Sequence, residues 1–486
     1  MSCSSSNSSE SFLPQDIQDK IHNHPCYSEG AHHHYARIHV AVAPACNIQC
    51  NYCNRKYDCS NESRPGVTSE RLSPEEAAKK VMFVGGEVKR LSVLGIAGPG
   101  DALANPKKTF ETFRLVREKA SDLKLCLSTN GLELPKFVDE MTKYNIDHVT
   151  VTINTVDETG EIGSKIYPWI FYNNKRIYGK EASKILLQRQ LEGMKMCVEK
   201  GILIKANSVL IPGINDKHLV EVSKKLKEIG VFLHNIMPII SEPEHGTAFG
   251  LGGVPSATDQ QQIEAQEACG MDMKLMQHCR QCRADAVGLI GEDRGQEFGK
   301  NVFSSMSFDE LEDHYNIKAR QESQAKIEEF RFFLDKANER VKKEKAELSS
   351  TSETILVAVT SAGQGMINQH FGTVKEFLIY EAGDLGIRFI HHRKLDVEYC
   401  AGPDGANPIE PILAKLKDCK LILTARIGEC PQNDLAGAGL ISDQSYANMP
   451  IEASVLSATR KYFNISEVCE MNSLPTAEMS RLLQFL

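Results

Sequence analysis

The sequence predicts an α/β fold: a partial (β/α)6 barrel of the TIM type, followed by a smaller α/β domain. Strand-like and helix-like runs alternate six times between residues 37 and 240, which indicates parallel strands with helices outside. A highly charged helical run over residues 308–348 comes next, and a new α/β pattern begins at residue 355. A chain of 486 residues with 41% hydrophobic content is long and apolar enough for two or three such domains.

Hydrophobic alternation and capping residues define the elements of the first region in order. Ser73, Pro74 and Glu76 form a capping-box pattern that predicts the start of its first helix. Residues 167–176 are aromatic and basic and interrupt the alternation, as either a lid or a surface loop. Strands are predicted over 37–43, 91–96, 123–128, 148–154, 202–211 and 231–240, and further helices over 108–120, 136–144, 184–200 and 217–229.

The second region follows the same rules. Strands are predicted over 355–359, 376–380, 387–391 and 421–424, with a helix over 409–416. His370, in the loop after the first of these strands, is the one candidate functional residue of this region.

Four polar residues stand out in the predicted barrel strands. Parallel strands are usually apolar on both faces, but Cys126, Thr152, Asn154 and Asn207 break that pattern. They lie near the carboxyl ends of their strands, where barrel enzymes assemble their sites. We therefore expect them to line a site.

Composition excludes several classes of function. The net charge is −8 and no Lys/Arg-rich block occurs, so no nucleic-acid partner is expected. No apolar run approaches the ~20 residues that span a bilayer, so no membrane partner is expected. The first residues are Ser-rich and lack the apolar core of a signal peptide, which predicts a disordered tail and a cytoplasmic protein. Fifteen cysteines in that compartment favour metal binding over disulfides.

Cys46, Cys50 and Cys53 form a C-x3-C-x2-C motif at the end of the first predicted strand. Three thiolates on one short loop can hold three irons of a [4Fe–4S] cube and leave the fourth iron open. A structural zinc site usually needs four ligands, commonly in two close pairs. The motif resembles the signature of the radical S-adenosylmethionine (SAM) enzymes, which implies one such cluster, SAM and a 5′-deoxyadenosyl radical.

SAM binding requires groups for its methionine, ribose and adenine parts. Two glycines after the second strand would let the backbone approach the methionine part, and the carboxylate that follows them can accept its ammonium. Polar residues on the fourth strand would meet the ribose, and an isoleucine on the fifth the adenosyl group. The expected SAM-binding residues are Gly98, Gly100, Asp101, Thr152, Asn154, Ile204 and Asn207.

Further possible ligands exceed the needs of one cluster. Cys279 and Cys282 form a C-x2-C pair flanked by arginines, which indicates metal ligation or a redox pair, and nothing nearby resembles the thioredoxin-like setting of the latter. His39 lies on the strand that leads into the cluster loop, as either a ligand or a hydrogen-bonded core histidine. The three histidines of residues 32–34 are more typical of a solvated loop. The remaining candidate ligands are Cys26, His39, Cys59, Cys126, Cys279 and Cys282, enough for two labile clusters with three ligands each.

Several motifs together resemble the NifB family of nitrogenase cofactor biosynthesis proteins over nearly the whole chain. They are the cysteine loop continued to Cys59, the segments 62–66 and 97–101, and the sequence around the C-x2-C pair, residues 278–288. The resemblance implies four regions: a tail over 1–25, a radical SAM barrel over 26–300, a charged helical linker over 301–352, and a NifX-like, RNase H-like domain over 353–486 that binds cofactor precursors.

The same resemblance implies an activity. Two [4Fe–4S] substrate clusters are fused, a SAM methyl group becomes a central carbide, and a further sulfide completes an [8Fe–9S–C] precursor of the iron–molybdenum cofactor. Three [4Fe–4S] clusters are then bound in total. The resemblance assigns Cys26, His39 and Cys126 to one substrate cluster and Cys59, Cys279 and Cys282 to the other, and it gives Glu62, Arg64 and Cys126 roles in the reaction.

Implied partners are the carrier and scaffold proteins of nitrogenase assembly, iron–sulfur donors and an electron donor. Two alternatives stay open at this point. One is a radical SAM enzyme with auxiliary clusters that acts on a peptide or nucleotide. The other is an iron–sulfur scaffold or carrier without SAM chemistry.

Overall fold

The computed structural model describes residues 13–57, 62, 64–271, 273–345, 354–383, 386–395, 398–401 and 408–463. The chain forms two compact units: Asp19–Gln321, and Met1–Gln18 together with Glu322–Leu486. Each unit is described by itself. None of the described helices is long and apolar enough to cross a bilayer.

The first unit contains a seven-stranded sheet. The strands of this unit are β1 (Ala36–His39), β2 (Ile48–Gln49), β3 (Lys56–Tyr57), β4 (Val67–Thr68), β5 (Leu91–Ile96), β6 (Lys124–Thr129), β7 (His148–Thr152), β8 (Trp169–Tyr172), β9 (Lys175–Tyr178), β10 (Leu203–Leu210), β11 (Leu233–Pro238) and β12 (Val287–Gly288). The strand order in the large sheet is β11-β10-β7-β6-β5-β1-β12. Neighbouring strands from β1 to β11 run parallel, and only β12 runs antiparallel, beside β1. Six parallel strands with intervening helices confirm the predicted partial barrel.

Helices follow the strands as predicted. The capping box at Ser73 is confirmed: its hydroxyl accepts from the Glu76 backbone N–H at 3.1 Å, and the Glu76 carboxylate accepts from the Ser73 N–H at 2.7 Å. The helices are α1 (Gln15–Ile21), α2 (Pro74–Glu87), α3 (Pro106–Lys119), α4 (Leu134–Lys143), α5 (Glu161–Ile166), α6 (Gly179–Glu199), α7 (Leu219–Ile229), α8 (Ala248–Leu251), α9 (Asp259–Gly270), α10 (Lys300–Phe303), α11 (Phe308–Tyr315) and α12 (Ile317–Lys345). The first and last of these cross the boundaries between the units.

The two faces of the sheet have different roles because side chains alternate along each strand. Ile38, Leu125, Val149 and Ile204 belong to the apolar core between the sheet and its helices. The opposite face carries polar and sulfur-containing residues. Cys126, Thr152 and Asn207, three of the polar exceptions noted in the sequence, lie on this opposite face.

The structure differs from the sequence expectation in the N-terminal region. Within the range predicted as a tail, α1 forms a helix, and Ile21 and His24 are buried. The histidines expected on a solvated loop are also packed: His32 and His34 are buried, and the His32 ring stacks on that of His278 with 4.5 Å between centroids. Histidine and apolar side chains cover the sheet here, so the prediction of a solvated loop is wrong.

The aromatic insertion is a regular hairpin and not an irregular loop, and its action as a lid stays a prediction. Strands β8 and β9 form a hairpin, and β8 pairs antiparallel with β2 of the cysteine loop to give a three-stranded sheet. The alternation Trp169, Ile170, Phe171, with Ile170 buried between two more exposed rings, is the sequence cause of this strand.

The second unit contains a five-stranded mixed sheet. Its elements are β13 (Thr354–Val359), β14 (Glu376–Gly383), β15 (Gly386–Lys394), α13 (Glu410–Leu416), β16 (Cys419–Leu423), α14 (Glu429–Gly437), β17 (Ile441–Asp443) and α15 (Ile451–Tyr462). The strand order is β15-β14-β13-β16-β17; β13, β14 and β15 pair antiparallel, whereas β13, β16 and β17 pair parallel. Apolar clusters cover both faces of this sheet.

Candidate functional site

One large cavity opens at the carboxyl ends of the barrel strands. Its atom-free space is roughly 1650 Å³, including the part open to solvent. Most of the predicted site residues line it: Cys26, His39, Cys46, Cys50, Cys53, Arg64, Gly100, Asp101, Cys126, Thr152, Asn207, Cys279 and Cys282. The fold therefore gathers into one chamber residues that are up to 256 positions apart, as the interval from 26 to 282 shows. Cys59 lies outside the described residues.

The cysteine loop is held in shape by the hairpin beside it. Ile48 pairs with Ile170 and Gln49 pairs with Trp169. The Gln49 side-chain amide donates to the carbonyls of Cys50 and Cys53, at 2.9 and 3.1 Å. These bonds fix the backbone on either side of two of the three thiols without any metal.

A second contact fixes the stem of this loop. The Gly100 N–H donates to the Ala43 carbonyl at 2.7 Å, and the Asp101 N–H donates to the Ala45 carbonyl at 2.8 Å. A β-carbon at Gly100 would collide with the backbone of Ala45. Close approach of two backbones therefore requires glycine at position 100.

Asp101 fastens two loops together. Its carboxylate accepts from the Leu103 N–H at 2.9 Å, the Asn130 N–H at 2.6 Å and the Thr129 hydroxyl at 3.0 Å. Burial raises the pKa of this carboxyl, and the hydrogen bonds oppose that shift only in part. The structure thus gives Asp101 a structural function, and its contact with a SAM ammonium stays a prediction.

The three thiols of the loop have the properties of cluster ligands. Each is half-buried, and burial raises the pKa of Cys46 to about 12 and raises those of Cys50 and Cys53. Such thiols are protonated until a cation takes the place of the proton. Among the described residues, no three His, Cys, Asp or Glu side chains converge on a single metal ion. Thiols that are spread around the cavity fit a [4Fe–4S] cluster, because each iron of such a cluster is bound by its own thiolate.

His39 is oriented as a ligand would be. Its Nδ1 lies 3.0 Å from the Arg283 carbonyl, which can only accept, so Nδ1 carries the proton and Nε2 keeps a free lone pair. The Nε2 edge of the ring packs over Gly95, where a side chain would collide with it. Burial lowers the pKa of His39 to about 4, so the ring is neutral at pH 7.

A second group of thiols surrounds a buried lysine. Lys205 lines the cavity together with Cys26, Cys126, Cys279 and Cys282. Burial lowers the pKa of Lys205, whereas these cysteines raise it more when they are thiolates, as they would be when they bind iron. Its Nζ lies 3.9 Å from the Met276 sulfur and 5.8 Å from the centroid of the Tyr27 ring.

The sequence of this chain is similar to those of known proteins over most of its length. The Radical SAM superfamily model matches residues 40–226, and the Dinitrogenase iron-molybdenum cofactor model matches residues 353–455. The FeMo cofactor biosynthesis protein NifB of Herbaspirillum seropedicae is 52% identical, with 95% of this chain and 86% of that protein covered. For NifB of Rhodobacter capsulatus the values are 53%, 91% and 96%, and for NifB of Azotobacter vinelandii 50%, 95% and 92%.

The chain belongs to the NifB family. It is a radical SAM enzyme of FeMo cofactor biosynthesis, and its family implies a [4Fe–4S] cluster and bound SAM. The thiols of the C-x3-C-x2-C loop, described above, are the donor set that fits that cluster.

Three residues expected at the SAM site of this NifB-family chain do not line the cavity. Ile204 lies in the core on the helix side of β10, because its neighbour Lys205 faces the cavity and alternation turns Ile204 away. Asn154 is buried, with its amide donating to the hydroxyls of Tyr52 and Tyr167, both at 2.9 Å. Gly98 stands behind the cavity wall in a left-handed conformation, with φ of 144°.

Glu62 also lies outside the lining, but it is paired with a residue that lines it. Its carboxylate forms ion pairs with Arg64 and, at 3.2 Å, with Lys56. Arg64 is buried, and its Nη1 donates to the Asn54 carbonyl at 3.0 Å. The pair therefore connects the cavity wall to the strand that follows the cysteine loop.

Sequence reasoning missed several residues of the NifB site. Lys205 could have been found from the sequence, because it interrupts an apolar strand two residues before Asn207 and therefore lies on the same face. Asn130 follows β6, and its amide donates to the Asn47 side chain at 2.7 Å and lies 3.8 Å from the Cys46 sulfur. Tyr52 and Tyr167 share the Asn154 amide, a contact between distant segments that no local pattern indicates.

Proposed function

We propose that this protein fuses two [4Fe–4S] substrate clusters, inserts a SAM-derived carbide and adds a sulfide, giving the [8Fe–9S–C] precursor of the iron–molybdenum cofactor. One observation carries the proposal: the chamber that contains the C-x3-C-x2-C thiols also contains four more cysteines and a ligand-competent His39. A radical initiator needs three thiols. The additional donors fit iron–sulfur clusters held as substrates.

When bound, the SAM-ligated cluster supplies the electron that cleaves SAM and yields a 5′-deoxyadenosyl radical. The chain contributes position and enclosure. Thr152 and Asn207 present polar groups to the cavity from adjacent strands, and the backbone at Gly100 lies in its wall. We propose that these residues hold SAM over the open iron.

Two buried cations balance the charge of the substrate clusters. Lys205 stands among the second group of thiols, and Arg37 donates from Nη2 to the Cys282 sulfur at 3.2 Å. No carboxylate of the described residues forms an ion pair with either cation. Removing a charge from water costs several kcal/mol unless an opposite charge is near, so Lys205, which lines the cavity, suits an anionic occupant.

The division of substrate ligands into two sets stays a prediction. The resemblance assigns Cys26 with His39 and Cys126, but Cys26 lines the same cavity as Cys279 and Cys282. Burial raises the pKa of the Cys26 thiol, and repulsion from Cys282 and Cys279 raises it further. We propose that Cys26 lies where the two substrate clusters meet. Its thiol would then change partners as the clusters fuse.

Arg64 is the candidate for contact at the fusion point. It lines the cavity, and within the described part of the chain its Nη2 is buried without a hydrogen-bond acceptor. Its ion pair with Glu62 fixes the direction of the guanidinium. A fixed, unsatisfied donor suits a negatively charged sulfide of a cluster.

The second unit is proposed to bind the cofactor precursor. Its match to the Dinitrogenase iron-molybdenum cofactor model supports this. His370 precedes a short turn, where its Nδ1 accepts from the Gly372 N–H at 2.9 Å, which leaves Nε2 to carry the proton. We propose carrier and scaffold proteins of nitrogenase assembly, iron–sulfur donors and an electron donor as partners, in the cytoplasm.

Iron counting and EPR on anaerobically purified protein, with and without SAM, test the proposal. We expect about twelve irons per chain for three cubes and a change of the EPR signal on SAM addition. SAM labelled in its methyl group should leave label in a metal cluster. Label in a peptide or nucleotide product would instead identify another radical SAM enzyme, and absence of 5′-deoxyadenosine would identify a scaffold.

A further inference from the structure

The hairpin of β8 and β9 lies directly beside the cysteine loop. Trp169 pairs with Gln49, the residue before Cys50, and the Phe171 N–H donates to the Asn47 carbonyl at 2.6 Å. The three-stranded sheet ends at β9, which is an edge strand. A molecule seated on this hairpin therefore contacts the polypeptide that holds the SAM cluster.

The hairpin is basic on an acidic protein. Residues 165–180 contain four Lys or Arg and no Asp or Glu, whereas the chain as a whole carries a net charge of −8. Lys165, Lys175 and Arg176 are exposed, and none of the three forms an ion pair with a described residue. Only Lys180 is neutralised, by Glu161. The result is an unneutralised positive patch next to the cysteine loop.

The same surface exposes aromatic rings. Phe171 is 46% exposed and Tyr178 is 60% exposed. The Arg176 guanidinium stacks over the Trp169 ring at 4.4 Å, which orders this long side chain. Exposed aromatic and arginine side chains in one patch are typical of interface centres rather than of ordinary surface.

From this placement we infer that the β8–β9 hairpin is the docking surface for an acidic one-electron carrier protein that reduces the SAM cluster. The inference rests on the radical SAM chemistry of the family and goes beyond the proposed carbide insertion. The carrier loses one electron, and the cluster held by the C-x3-C-x2-C thiols gains it, passing from the 2+ to the 1+ state. Charge complementarity selects the partner, because steering by opposite charge accelerates encounters between transient partners.

The hairpin is large enough to bind such a carrier protein. Electron-transfer encounters bury small interfaces, below about 1,200 Å², so a ten-residue hairpin can form the centre of one. The competing explanation is that Lys175 and Arg176 only protect an edge strand from pairing with other chains. The two explanations differ in what a charge reversal does to reduction of the cluster.

The test uses the full chain with its clusters and a reduced acidic bacterial ferredoxin as the probe. The variant Lys175→Glu with Arg176→Glu reverses the patch. The variant Lys165→Glu with Lys175→Glu does the same but keeps the Arg176–Trp169 stack. The control is Lys143→Glu with Lys227→Glu, two exposed lysines at the carboxyl ends of α4 and α7, where the chain returns to the amino ends of β7 and β11. Lys143 also forms a surface ion pair with Glu140, of a kind that contributes little to stability.

We expect both patch variants to weaken ferredoxin binding, measured by calorimetry, and to slow reduction of the cluster, followed by stopped-flow absorbance, by about tenfold or more at low salt. The difference should shrink at high salt, where charges are screened. Reduction by dithionite, and the control variant with ferredoxin, should match the wild type.

Ferredoxin binding and reduction at wild-type rates in both patch variants would overturn the inference, as would an equal loss of reduction by dithionite. Neither result tests carbide insertion, because that reaction is assayed on the wild-type protein with dithionite as the reductant.

Discussion

Arg37 and Cys282 are joined by a hydrogen bond from the guanidinium Nη2 to the thiol sulfur, 3.2 Å long. Arg37 is buried on β1, and its Nη1 also donates to the carbonyls of Gly288 and Leu289, at 2.6 and 2.8 Å. The first strand of the barrel thereby positions a cysteine that lies 245 residues later. Both cysteines of the C-x2-C pair line the cavity, so the pair is part of the site and not a separate motif.

Removing the C-x2-C thiols should remove one substrate cluster. For Cys279→Ala with Cys282→Ala, we expect iron content to fall by about four atoms per chain while SAM cleavage persists. The control is Cys197→Ala with Cys269→Ala, two buried cysteines of the apolar core that should leave iron content unchanged. Unchanged iron in the first variant would contradict its assignment as a ligand set.

Neutralising Lys205 should have opposite effects on the empty and the loaded protein. Lys205→Met removes a buried ammonium that has no carboxylate partner among the described residues, so the iron-free protein should gain about 1 kcal/mol or more in urea unfolding. The same variant should bind less iron and shift the cluster EPR signals, whereas Lys205→Arg should restore iron binding. A Met variant that is less stable without iron, and normally loaded with it, would indicate a packing role alone.

A side chain at position 100 should disrupt the stem of the cysteine loop. Gly100→Ala places a β-carbon against the Ala45 backbone, so we expect a loss of about 1–3 kcal/mol in the free energy of unfolding, together with weaker SAM binding. Gly437→Ala is the control, since its β-carbon meets nothing within 4 Å and alanine favours a helix. Equal stability of the two variants would show that the backbones can separate at no cost.

Arg320 should be essential for the stability of the first unit. It is fully buried, and its guanidinium donates to the Gly85 carbonyl at 2.9 Å and forms an ion pair with Asp122 at 2.9 Å. Arg320→Ala leaves that carboxylate unpaired, which should cost about 3–5 kcal/mol in urea unfolding. Arg114→Ala, which removes an exposed arginine and its two surface ion pairs, should change stability little.

The strand residues that the sequence correctly placed at the cavity all lie on the same face of the sheet. Cys126, Thr152 and Asn207 are polar exceptions in apolar strands, and parallel pairing brings exceptions at the strand ends together. Ile204 lies outside the cavity lining, and an apolar residue gives no sign in the sequence of which face it occupies until its neighbours are assigned. Asn154 also lies outside it, because its partners Tyr52 and Tyr167 come from loops whose proximity depends on tertiary packing. The contacts of both residues with SAM stay predictions.

The pairing of the β8–β9 hairpin could not be predicted from the sequence either. Its alternation is visible in the sequence, but its partner β2 contains only two residues and lies between cysteines. A two-residue strand has no periodicity of its own, so only the folded chain defines it. The helix α1 was missed because a single buried turn at Ile21 is not distinguishable from a polar tail in sequence.

The pairing of Ile48 with Ile170 has a consequence for repeated catalysis. The backbone around the three loop thiols is held by β8 and not by iron, so the site of the SAM-binding cluster should persist through every cycle. The proposed reaction consumes the substrate clusters and not this one. A new cycle then requires delivery of new cubes but no rebuilding of the site that starts the radical, and cells that limit iron–sulfur supply should limit cofactor output before they limit the amount of enzyme.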